Sequence, residues 1–214
     1  MRITRIESQK KNPARKNIYA DGSYVAGVSD ETLLRAALRS GDEITVEQLK
    51  ALVSQEDTSS AKRTALRFIA HRPRTRKEVR DKLREKEFSE EDVRVTLDTL
   101  QRAGLLDDAE FARMYIRDVL ATRASGKILL KRKLLLLGVD KGIIADALQE
   151  AFTNIDEETS ALDAGRKFLK KSAKPRNAVD RANLRNRLAS FLGRRGFEWS
   201  FIEPALKQLL KEHE

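Results

Sequence analysis

At 214 residues the chain is long enough to bury one or two cores without covalent staples. It has no cysteine, which excludes disulfide frameworks, thiolate zinc sites and cysteine nucleophiles, and its two separated histidines, His71 and His213, cannot build a histidine-rich metal cluster. The net charge of +10 is unevenly placed, at 0 over 1–57, +5 over 58–106, +1 over 107–155 and +4 over 156–214, and a basic field of this kind favours polyanionic partners.

The opening MRITRIESQKK contains no apolar signal region, and no later stretch reaches the roughly 20 apolar residues of a membrane helix, so a soluble, cytoplasmic chain is expected. Residues 17–28, NIYADGSYVAGV, read as a β-hairpin, because Asp21-Gly22 supplies the positive-φ pair of a type I′ turn. Ile3 to Lys10 is a candidate third strand. Ser29 or Asp30 then caps a helix running to about Arg39 and stopped by Gly41, and Thr45-Val46-Glu47-Gln48 is a capping box opening a second helix. The polar run Ser54 to Ser60 reads as a linker, which makes 1–57 a small α+β unit.

From Ala61 onward the pattern is helical, with further capping boxes at Thr75 to Glu78 and Ser89 to Asp92. An internal repeat organises it. Val79, Leu83, Phe88, Val93, Leu97 and Leu100 recur 51 residues later as Leu130, Leu134, Val139, Ile144, Leu148 and Ala151, and after a further 58 as Leu188, Leu192, Phe197, Ile202, Leu206 and Leu209. All eighteen are apolar. A cap-like polar residue follows each turn (Ser89, Asp140, Glu198), and a leading helix precedes each pair, centred on Ala65–Ile69, Phe111–Ile116 and Leu162–Leu169. The fold class predicted is mainly α, with three tandem three-helix repeats at 58–106, 107–155 and 156–214 stacked into an elongated, curved array. The longest connection is expected at Lys170 to Arg181.

Asp107, Asp108 and Glu110 are the residues closest to an acid–base or cation site, but acidic groups just before Phe111-Ala112-Arg113 are better explained as a helix cap. No phosphate loop, dinucleotide fingerprint or nucleophile arrangement is present, so neither an enzyme nor a cofactor is expected. The cations carry more information. Arg76, Lys127 and Arg185 occupy the same repeat position, three residues before the first apolar one, and Arg80 and Lys131 lie one turn on. With Arg72, Arg74, Lys77, Arg132, Lys170 and Lys171 they form a candidate stripe for DNA or a protein partner, the plainer alternative being a solvated face. The few aromatic residues fall mostly at core positions, which argues against base stacking as the main mode, although Trp199 is expected to be partly exposed.

Three stretches carry a family resemblance: Arg72-Pro73-Arg74-Thr75-Arg76-Lys77-Glu78-Val79-Arg80-Asp81-Lys82-Leu83, Phe88-Ser89-Glu90-Glu91-Asp92-Val93, and Gly104 to Ala112 with Tyr115. Together they resemble the RecX regulators of the RecA recombinase, most densely from about Ala61 to Phe152. The resemblance implies a non-catalytic and usually negative modulator, built of three-helix repeats, that lodges in the groove of the RecA–DNA filament; a monomer is expected, with single- and double-stranded DNA as partners of the basic stripe. It further implies restraint of ATPase, strand-exchange and co-protease activities. The other reading of the same helix pairs is a free-standing helix-turn-helix protein that binds duplex DNA.

Overall fold

The computed structural model describes residues 1–10 and 12–212, so the expectation about His213 lies outside the described residues. The N-terminal segment forms an antiparallel sheet of β1 (Ile3–Gln9), β2 (Asn12–Ala20) and β3 (Ser23–Ser29), in that order. Asp21 at φ 47° and Gly22 at φ 80° make the predicted turn, with Ala20 paired to Ser23 across it. Ile3, Ile18, Ala26 and Val28 line one face and are buried with Ile44 and Leu52.

Helix α1 (Asp30–Ala36) starts at the predicted Ser29 cap, whose side chain accepts the Thr32 N–H. It ends earlier than the expected Arg39, at Ala37 in the left-handed region. The cause is tertiary. Gly41 donates to the Ile3 carbonyl, Ile3 donates to that of Asp42, and Arg2 bridges Glu43, so the segment 41–43 is held beside the start of β1 and cannot continue a helix.

Helix α2 (Val46–Ala70) opens on the predicted capping box, with both Thr45 and Gln48 bonds made. It also runs straight through Ser54 to Ser60, which overturns the linker. Two of the polar residues there, Glu56 and Thr58, meet polar partners within the fold. Thr58 Oγ1 donates to Asp92 at 2.5 Å, and Glu56, 3% exposed, receives the Ser29 N–H, the Ser29 and Thr32 hydroxyls and the Arg63 guanidinium. Arg15 adds an ion pair at 3.3 Å.

Eight more helices complete the described chain: α3 (Arg76–Glu85), α4 (Glu90–Arg102), α5 (Asp108–Thr122), α6 (Lys127–Leu136), α7 (Lys141–Phe152), α8 (Glu157–Leu169), α9 (Ala178–Arg194) and α10 (Trp199–Glu212). The three leading helices predicted are the second half of α2, α5 and α8. Sixteen of the eighteen template positions are buried, Phe88 and Ala151 being partly exposed. Each repeat buries its own stripe because an amphipathic helix holds its place chiefly through the apolar face it packs. Ser89 and Asp140 cap α4 and α7, and Asp107 caps α5 through the Ala109 and Glu110 N–H groups, as read from the sequence. Helix α9 begins at Ala178, inside the connection expected to extend to Arg181.

The chain divides into two compact units. One comprises residues 1–72 and 79–105, with the sheet and its own helical core. The other comprises 73–78 and 106–214, with clusters centred on Leu130, Leu134 and Ile144 and on Leu188, Leu192 and Leu206.

Candidate nucleic-acid interface

Within the second unit, two starts of helices are seated in the same way. The Thr75 hydroxyl donates to the Leu137 carbonyl at 2.7 Å and Lys77 Nζ to that of Leu136 at 3.0 Å, with the Lys77 stem lying on Gly138. One repeat on, the Gly126 N–H donates to the Arg195 carbonyl at 2.9 Å and the Ile128 N–H to that of Gly196 at 3.1 Å. Both glycines have φ +84°, and a Cβ would come within 2.4 Å of Lys77 at Gly138 and 2.2 Å of the Leu129 nitrogen at Gly196. Position 87 is their equivalent in the first repeat. There the left-handed residue is Glu87, at φ 60° and exposed, with no helix start seated on it to demand a glycine.

These seats use part of the predicted stripe. Arg76 is the first residue of α3, and its backbone N–H donates at 2.8 Å to Asp108, the first residue of α5. Burial raises the Asp108 carboxyl above its ordinary value, with the Arg76 N–H and charge opposing. Lys127 is the first residue of α6, and its Nζ lies 2.7 Å from Glu157, the first residue of α8, and 5.1 Å from the Phe152 ring. Glu157 is 6% exposed, so Lys127 is its counter-charge. Arg185 breaks the pattern. Helix α9 extends seven residues before it, placing Arg185 in the helix interior and exposed.

The remaining candidates divide similarly. Arg74 pairs with Glu78 at 3.2 Å and is largely buried, and Arg80 lies 3.7 Å from Asp81. Arg72 is exposed in the turn after α2. Lys131 and Arg132 on α6, and Lys170 and Lys171 after α8, are exposed.

Lys170 and Lys171 have neighbours that sequence reasoning left out. With Arg123, Lys167, Arg187 and Arg195 they line a cleft of about 620 Å³. Its floor is Phe168 stacked on Phe191 at 4.8 Å between centroids. Arg187 lies 5.9 Å from the Phe168 ring and Arg195 5.1 Å from that of Phe191, so these two rings depart from the expectation that the aromatic residues serve mostly as core. The spacing Arg187, Phe191, Arg195 places all three on one helix face and was a usable signal. Among the described residues, no three or more acidic or histidine side chains gather as a metal site, and no helix is long and apolar enough to cross a membrane.

Comparison with known proteins agrees with this architecture. Residues 1–45 match the regulatory protein RecX N-terminal domain, 61–100 the first RecX three-helix domain and 107–148 the second. The regulatory protein RecX of Clostridium acetobutylicum is 31% identical over 212 residues, taking in 99% of this chain and 97% of that one. That of Bacillus velezensis is 32% identical over 212 residues, covering 99% of this chain and 79% of the relative. A crystal structure of regulatory protein RecX superposes with a TM-score of 0.70 at 25% identity, covering 99% of this chain and 98% of the other. RecX from Lactobacillus salivarius gives 0.60 at 25% identity, covering 74% of this chain and 99% of its own. On these matches, which take in nearly the whole of it, the chain belongs to the RecX family of regulatory proteins.

Proposed function

We propose that this protein is a negative regulator of the RecA recombinase that lodges in the groove of the RecA–DNA filament and restrains ATP hydrolysis, strand exchange and co-protease activity. The observation that carries the reading is the family match over nearly the whole chain, joined to repeats that present cations in excess. Exposed Lys131, Arg132, Lys170, Lys171 and Arg185 make the contacts to filament or strand, whereas Lys77 and Lys127 hold the fold. The protein then acts as a cytoplasmic monomer in recombinational repair and the SOS response, on single- and double-stranded DNA, with no cofactor.

The free-standing duplex reader is the weaker reading. A recognition helix offers its N-terminal residues to the groove. Helix α4, the second of its pair, begins with Glu90, Glu91 and Asp92, which phosphates would repel. Co-sedimentation tests the choice: the protein should pellet with preformed recombinase filaments at salt concentrations where it leaves naked duplex unbound. Equal retention on naked duplex would reverse it.

A further inference from the structure

The six cations of the cleft are gathered on one lining. Several exposed arginines elsewhere take a carboxylate, as Arg94 does with Glu91, Arg113 with Glu110 and Arg166 with Glu212. No carboxylate lines the cleft, and among the described residues none of its cations makes a carboxylate ion pair at 4 Å. Burial, and then the charge of Arg123, lower the Arg195 pKa below its ordinary value. Such mutual repulsion is relieved by an anion.

The donors are also held in place. Arg187 and Arg195 rest against the stacked rings, and Arg195 Nη1 is tied to the Ala124 carbonyl at 3.2 Å. A guanidinium held this way keeps further N–H groups for oxygen acceptors and loses less side-chain freedom on binding. A cleft of about 620 Å³ lies in the range of small-ligand sites, which suits a nucleotide unit or two. Aromatic rings among arginines are the lining typical of single-strand grooves.

We propose that this cleft binds the phosphodiester backbone of single-stranded nucleic acid. The inference rests on the regulator reading only for which strand is bound in the cell.

The test is fluorescence anisotropy of a labelled oligothymidylate with the full chain. The variant Arg123→Glu/Lys171→Glu is compared with Lys50→Glu/Lys62→Glu, which makes the same charge change at exposed positions of α2. The cleft variant is expected to lose about tenfold or more in affinity, and its log–log salt slope to fall by about 1.4, or two phosphates at ~0.7 each. The α2 variant should lose less than about threefold, through the general field alone. Lys171→Gln, with one charge neutralised and the surface otherwise kept, should weaken binding with its melting temperature unchanged.

Equal losses in both double variants, or none in the cleft variant, would overturn the proposal. So would displacement of the oligonucleotide by tripolyphosphate or oligoglutamate of matching charge as effectively as by unlabelled strand, since the cleft would then be a small-anion or acidic-peptide site. Oligothymidylate binding through the cleft by a protein without effect on recombinase turnover would remove the regulator reading and leave the cleft standing.

Discussion

Single residues at the helix seats have sharply different tolerances. Alanine at Gly196 meets both a left-handed φ and the Leu129 backbone nitrogen at 2.2 Å, and backbone cannot step aside as a side chain can. Gly196→Ala is therefore expected to cost about 2–4 kcal/mol in urea unfolding. Glu87→Gly, at the equivalent position with nothing seated on it, should be neutral or stabilising by up to about 1 kcal/mol. Lys127 is a second case. Lys127→Met strands Glu157 at 6% exposure and should cost about 3 kcal/mol, most of it recovered in the double variant with Glu157→Gln. If the single variant keeps full stability and loses only partner binding, Lys127 belongs to the interface after all.

At the scale of elements, α2 separates what the sequence carries from what only packing supplies. The apolar template was legible because each of its helices must bury a stripe, and that demand is written as spacing. Ser54 to Ser60 carries no such stripe. Its place in a helix depends on Glu56 meeting Ser29, Thr32 and Arg63, and on Thr58 meeting Asp92, partners 24 to 34 residues away except Arg63. Ser59→Pro decides between linker and helix. A linker would absorb it, whereas a helix interior loses about 3 kcal/mol.

The Glu56 network also sets a pH dependence. Burial works against the charged carboxylate, but the bonds from Ser29, Thr32 and Arg63 outweigh it and hold the pKa below its ordinary 4.5. A lowered folded pKa means that the stability it contributes is fully present above the unfolded value and fades as the pH falls through the folded one. The stability difference between the natural chain and Glu56→Gln, about 1–3 kcal/mol near neutral pH, should thus shrink progressively below about pH 4.5. A difference that stays constant down to pH 3 would contradict this account.

At the scale of the molecule, the cation row is a repeat of sequence spacing and only in part an exposed surface. Equal spacing places Arg76, Lys127 and Arg185 at equivalent template positions, but it does not reveal that Asp108 and Glu157 stand at the first two. The cleft escaped for the converse reason. Its cations come from 123, 167–171 and 187–195, and only the packing of the α5 C-terminus with α8 and α9 gathers them, although the Arg187–Phe191–Arg195 face was visible in the sequence. What joins the scales is the proposal that a helical repeat chain acts on a recombinase filament. DNA-dependent ATP hydrolysis by the cognate recombinase, with this protein added at ratios well below one chain per protomer, tests that claim most directly. Turnover should fall progressively across that range, and turnover unchanged even at equimolar protein would contradict the account.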